Sequence, residues 1–139
     1  MSSPALSQVA PEVVLPTEDQ TRMRAIVQER YGSPDVLQLK EVERPTPKDN
    51  EVLVRVRAAS VNAGDWHLMR GKPFLVRLMG FGLLKPKNRI VGSDIAGRVE
   101  VVGKDVEQFK PGDEVFGDLV GCGFGAFAEY ASVLRVRWC

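Results

Sequence analysis

The sequence predicts a mainly β domain, barrel-like, with a short helix. Three observations carry that prediction. Glu51 to Val61, EVLVRVRAASV, sets Val52, Val54 and Val56 against Leu53, Arg55 and Arg57, the period-two pattern of a strand. Ile90 to Gly117 places Gly92 and Gly97 around a short apolar step that suits a tight backbone crossing. It continues into the β-branched run Arg98 to Val102 and turns at Pro111-Gly112-Asp113. Nothing in the chain alternates strands with long helices, which disfavours a parallel sheet.

Taken in order, Met1 to Thr21 is rich in Ser and Pro, lacks periodicity and is expected to be a disordered tail, with the domain spanning 22–139. Met23 to Arg30 reads as the first strand and Tyr31 to Pro34 as a turn. Val36 to Val42 alternates apolar and polar residues as a half-buried strand should, so the pair forms a hairpin. Pro45 to Asn50 is a polar connection to the strand Glu51 to Val61. Asn62 to Gly71, NAGDWHLMRG, reads as a short helix or helical turn in which Trp66, Met69 and Leu68 can share a face. Gly71 stands where a helix ends, and Trp66 is expected in the core. Lys72 to Arg89 leaves two readings open, a helix or a lid-like loop. Arg98 to Val102 stops at Gly103, a strand restarts at Val115-Phe116, and Phe127 to Val136 is the last strand.

Composition sets bounds. The 139 residues suffice for one cored domain, and 44% hydrophobic with 27% charged residues is ordinary for a globular protein. A net charge of +1 gives no reason to expect a nucleic-acid or anionic-membrane partner. Cys122 and Cys139 are too few for a disulfide scaffold and lack zinc spacing, so a reducing, cytoplasmic setting is expected. The longest apolar run, Phe74 to Leu84, contains Arg77 and two glycines and falls short of the ~20 residues of a spanning helix. Residues 1–21 hold Glu12, Glu18 and Asp19 and no Lys or Arg, unlike a secretory signal or an Arg-rich transit peptide.

Six pieces then occur in one order: RYGSPDVLQL, VRVRAASVNAGD, Arg70-Gly71, GSDIAGRVEVVG, FKPGDEVFG and GAFAEY. From about Met23 to Ala131 the chain resembles the quinone-reductase branch of the medium-chain dehydrogenase/reductase superfamily. The resemblance implies a GroES-like, partly open β-barrel with one or two short helices. In such enzymes this is the catalytic domain, and a following Rossmann domain holds NADPH or NADH. They pass hydride to a quinone, enone or carbonyl. The zinc-dependent branch carries a Cys at the position of Asn62 and Gly-His-Glu at Gly92-Ser93-Asp94. Asn62 and Ser93 are poor ligands, so the resemblance points to the zinc-independent branch.

The same resemblance puts Asn62 beside the nicotinamide, where its amide could donate to a substrate oxygen or to the cofactor amide. Without it, Asn62 reads as a strand end or helix N-cap. His67, the only histidine, falls near a position where many relatives carry a tyrosine in contact with nicotinamide or substrate. An imidazole there can donate or supply a proton near neutral pH; the alternative is a solvent-facing histidine. Asp65 alone reads as a helix-start charge. Gly121 to Gly125, GCGFG, is not a phosphate loop, because it lacks GxGxxG spacing and leads into a strand rather than a helix.

Nine residues follow Tyr130, and no dinucleotide fingerprint or Rossmann unit is present. A truncated domain is therefore expected, binding no dinucleotide tightly and inactive alone. Apolar surface including part of Phe74 to Leu84 should be uncovered, with self-association. A non-catalytic binding module is the alternative.

Overall fold

A computed structural model describes residues 21–134. The expected tail lies outside the described residues except for Thr21, as does the chain beyond Leu134.

The elements are β1 (Arg22–Gln28), β2 (Leu37–Glu43), β3 (Glu51–Ser60), α1 (Ala63–Arg70), β4 (Asp94–Val102), β5 (Glu114–Asp118) and β6 (Tyr130–Leu134). β1 and β2 pair antiparallel from Arg22↔Glu43 to Gln28↔Leu37, after a short 3₁₀ turn at Pro34–Val36. The other four strands form an antiparallel sheet in the order β5-β4-β3-β6. This is a mainly β architecture, and the barrel is not closed. The hairpin joins the larger sheet through the isolated bridges Ala25↔Ala128 and Val27↔Ile90. Ile26 N–H donates to Phe127 C=O at 2.8 Å and Gln28 N–H to Arg89 C=O at 2.7 Å along the same seam.

The alternation in the sequence decides which faces meet. In β1, Met23, Ala25 and Val27 are buried while Arg22 and Arg24 face water. In β3, Val52 and Val54 point into the main core with Val99, Val115, Leu119 and Val133. Leu53, on the opposite face, is also buried, in the angle formed with Val101 and the Pro45–Pro47 connection. Gly97 is required by a close approach. A Cβ there would lie 2.3 Å from the Arg55 carbonyl oxygen across the β3–β4 pair, inside any permitted contact. The turn at Pro111-Gly112-Asp113 closes with Asp113 N–H donating to Lys110 C=O at 3.1 Å.

Three expectations change in detail. Lys72–Arg89 is neither a full helix nor a plain loop. It holds one π-type turn at Arg77–Phe81, broken at Gly80, within irregular chain. The last strand starts at Tyr130, because Phe127 to Glu129 bond to β1 and β3 instead. Asp65 does stand in the first turn of α1 as a helix-start charge, and it is buried there. Trp66 is 47% exposed rather than in the core. A helix of two turns has one inward stripe, and here Asp65 and Met69, one turn apart, occupy it. Trp66 instead packs against its own helix, under the Arg70 guanidinium at 4.5 Å and edge-on to His67 at 5.0 Å.

Candidate active site

β3 ends where α1 begins, and Asn62 makes the join. Its backbone is extended (φ −129°, ψ 174°), and its side-chain oxygen accepts from Gly64 N–H at 2.8 Å and Asp65 N–H at 3.3 Å. Asp65 returns the bond, its carboxylate accepting from Asn62 N–H at 3.0 Å, which completes a capping box. At the other end Gly71 takes the left-handed conformation (φ 60°), where a Cβ would collide with the Tyr31 ring. Gln28, itself buried at the end of β1, donates through Nε2 to Met69 C=O at 2.7 Å and holds the last turn of α1 in place.

The amide of Asn62 reaches the other way. Nδ2 donates to Ser93 Oγ and to Asp94 Oδ2, both at 2.9 Å. Ser60 Oγ donates to the same Asp94 oxygen at 2.9 Å, and Ser93 Oγ donates to Asp65 Oδ1 at 3.2 Å. Five polar side chains from the end of β3, the start of α1 and the start of β4 thus form one connected set. Both amide hydrogens and both lone pairs of Asn62 are engaged. Asn62 is therefore a helix cap and, at the same time, the bridge between α1 and β4.

Asn62, Ser93 and Asp94, which the resemblance sets against the zinc-ligand positions of the zinc-dependent branch, do converge here, but as donors and acceptors to one another. Among the described residues no three His, Cys, Asp or Glu side chains gather as a metal site would need.

His67 does not join this set. It lies more than one turn along α1, exposed, with Nδ1 2.9 Å from Lys72 C=O. In the neutral ring that contact makes Nδ1 the donor and leaves Nε2 as a free acceptor. Beyond it the irregular segment is pinned from below. Tyr31 Oη lies 2.7 Å from Gly82 C=O and 3.0 Å from Phe81 C=O, and Arg77 stacks over the Tyr31 ring while donating to Gly71 C=O at 3.0 Å. Burial raises the Tyr31 phenol above its ordinary pKa, which keeps it a donor. The apolar residues of the segment point outward: Phe74, Leu75, Leu78, Met79, Leu83 and Leu84 are each more than half exposed. Gly121 to Gly125 forms a loop with positive φ at four residues and leads to β6, not to a helix.

Sequence reasoning missed Ser60, Asp65, Ser93 and Asp94 as partners of Asn62. The Asn-x-x-Asp spacing at 62–65 is a capping-box pattern and could have signalled Asp65. The others meet Asn62 only through the β3–β4 register, in which Ser60 faces Asp94.

An open two-sheet barrel whose third strand runs straight into an asparagine-capped helix beside a Gly-Ser-Asp strand start defines a class. It is the N-terminal domain type of medium-chain dehydrogenases/reductases, of the quinone-reductase-like branch. The chain belongs to the alcohol dehydrogenase GroES-like domain family, whose pattern residues 48–139 match. It is 40% identical over 111 residues to a chloroplastic quinone-oxidoreductase, QR1, of Triphysaria versicolor, which covers 78% of this chain and 31% of that protein. It is 39% identical over 113 residues to the quinone oxidoreductase of Sus scrofa, covering 81% and 31%. Among solved structures the quinone oxidoreductase from Coxiella burnetii superposes with a TM-score of 0.73 at 29% identity, over 85% of this chain and 36% of that one. The chain thus spans about a third of the length of the proteins it matches.

Proposed function

We propose that this chain is the substrate-side domain of a zinc-independent oxidoreductase that passes hydride from NADPH or NADH to a quinone, enone or carbonyl compound. The observation that carries the reading is the closed hydrogen-bond set at Asn62, Ser93 and Asp94. Where zinc-dependent relatives need an electron-rich ligand set, these side chains satisfy one another. The names of the similar proteins, quinone oxidoreductases from plant, mammal and bacterium, support the substrate class. The reading implies a cytoplasmic setting, in which Cys122 remains a thiol.

The nicotinamide supplies the hydride when bound. The residues proposed to meet it and the substrate are Asn62 and His67. A substrate oxygen that takes one Asn62 amide hydrogen displaces Asp94 Oδ2, which keeps the Ser60 hydroxyl as a donor, so the exchange strands no charge. The His67 Nε2 acceptor side remains open. The described residues suit the nicotinamide end of a dinucleotide and not its phosphates. The N–H groups opening α1 are taken by Asn62's own oxygen, and the glycine-rich loop has no helix behind it. The chain alone is therefore proposed to be inactive. The exposed apolar run Phe74 to Leu84 favours a second reading, a GroES-like module that acts by binding and self-associates.

The test is a chimera joining residues 21–134 to the remaining two thirds of the Sus scrofa quinone oxidoreductase. The chimera should oxidise NADPH with quinones and contain no stoichiometric zinc. The lone chain should show no turnover, and no several-degree rise in melting temperature in millimolar NADPH, where a ligand at 100 times its Kd adds about 2.7 kcal/mol. A folded chimera that binds NADPH without turnover would favour the binding module. One zinc per chain would defeat the zinc-independent assignment.

A further inference from the structure

Asn62 makes four side-chain hydrogen bonds, and a ligand can replace them with unequal ease. Its oxygen accepts from Gly64 N–H and Asp65 N–H, within the first turn of α1. One Nδ2 hydrogen goes to Ser93, which is buried and itself donates to Asp65. The other goes to Asp94 Oδ2 at 2.9 Å, and here both partners are half-buried. Among the described residues β6 pairs with β3 only from Glu51 to Arg55, so Ser60, opposite Asp94, is exposed. The bond to Asp94 is therefore the one on the open side of the set.

Removing Asp94 would not turn the amide. Its oxygen stays on the helix N–H groups and one hydrogen stays on Ser93. The amide is planar, so the second hydrogen keeps its aim at the vacated place. Asp94 fills that place strongly. No Lys or Arg among the described residues lies within ion-pair distance of it, and its side chain is met by Ser60 and Asn62. A hydrogen bond to an ionised acceptor is stronger than one to a neutral oxygen. A quinone, enone or carbonyl oxygen reaches the amide hydrogen only by displacing this carboxylate.

We propose that Asp94 is a positioning residue that competes with the substrate for the Asn62 amide hydrogen. It keeps that hydrogen closed until a substrate oxygen takes its place, and Ser60 stays on Asp94 through the exchange. The competition weakens binding of the substrate oxygen. In return the amide and the Ser60 hydroxyl keep a partner when no ligand is bound, which stabilises the fold at the expense of activity. The inference rests on the oxidoreductase reading and adds to it a side chain whose removal improves catalysis.

Two measurements test it. In nuclear magnetic resonance spectra of the isotope-labelled full chain, Asp94→Ala should move one Asn62 Nδ2 proton upfield to the free-amide position and leave the other, on Ser93, in place. Movement of both or of neither would overturn the proposal. The second measurement uses the chimera with the Sus scrofa quinone oxidoreductase. There kcat/KM with a quinone should rise about tenfold in D94A, the low end for a hydrogen bond to a charged group. It should rise less in Asp94→Asn, which keeps a neutral acceptor, and not at all in Ser60→Ala, which leaves Asp94 on the amide. The D94A chimera should also melt below its parent, so activity and stability move in opposite directions. A merely structural role predicts that both fall. Unchanged or lower kcat/KM in folded D94A or D94N, or equal gains in all three variants, would overturn the inference and leave the oxidoreductase reading standing. A parent chimera that binds NADPH without turnover would defeat that reading, and this inference with it.

Discussion

Replacing Asp65 with alanine tests the polar set at its most buried member. Asp65 is 6% exposed, and its two oxygens accept from Asn62 N–H at 3.0 Å and Ser93 Oγ at 3.2 Å. The D65A change removes the return arm of the capping box, a loss of about 1 kcal/mol. It also leaves the Asn62 N–H and the Ser93 hydroxyl without their acceptor, at about 1–3 kcal/mol for an unsatisfied buried group. Ser93 recovers part by turning its hydroxyl elsewhere, so the expected total is about 2–3 kcal/mol. For a domain of this size each kcal/mol is worth about 3–6 °C, so melting should fall by about 10 °C. Thermal unfolding followed by circular dichroism at neutral pH reads this directly. The Asp65→Asn variant, which keeps an acceptor, should lose less than half as much. A double-mutant cycle with Ser93→Ala should return a coupling of about 1 kcal/mol. If D65A melts within a degree or two of the parent, or the cycle shows no coupling, the set does not hold α1 to β4 as argued.

Three other outcomes follow from the packing and charge. Gly97→Ala places a methyl group 2.3 Å from the Arg55 carbonyl oxygen, so β3 and β4 must part; a loss of about 3 kcal/mol is expected in chemical denaturation, and a neutral result would contradict the close crossing. Leu78→Glu with Met79→Glu changes residues 60% and 68% exposed, so stability should move by less than about 0.5 kcal/mol while hydrophobic-dye binding and self-association fall; unchanged association by sedimentation would place the contact elsewhere. Glu129 is held below the ordinary glutamate pKa by the Arg24 backbone N–H and then by its guanidinium. Its folded value lies below its unfolded one, so its stabilisation is complete above about pH 4.3 and is lost as pH falls through the folded value. The melting difference between the parent and Glu129→Gln should therefore shrink from pH 6 to pH 3, and a growing difference would reverse the sign.

The strands were legible because their alternation is local. Val52 and Val54 against Arg55 and Arg57 state which face of β3 goes inward, and the structure follows. The ends of α1 were equally plain, since Asn62 and Gly71 suit their caps through their own backbone preferences. Trp66 misled because aromatic residues in helices usually pack inward, whereas two turns offer one inward stripe and Met69 takes it with Asp65. The partners of Asn62 were hidden for another reason. Ser93 and Asp94 are about thirty positions away, and only the Ser60↔Asp94 register brings them into reach. The uncovered end of β3 was likewise beyond local pattern, because it depends on where β6 starts.

The seam between the hairpin and the larger sheet has its own consequence for motion. Two isolated bridges and a few loop carbonyls hold β1 and β2 there, whereas β3 and β4 share a long continuous ladder. Segments so joined open independently, and the less extensively bonded one opens first. The hairpin should breathe as a unit, exchanging its amide protons before those of Val52 to Val54. Because Gln28 sits at the end of that hairpin and grips Met69, each excursion also loosens the far end of α1. Local opening on one side of the barrel is thereby transmitted to the helix that Asn62 begins.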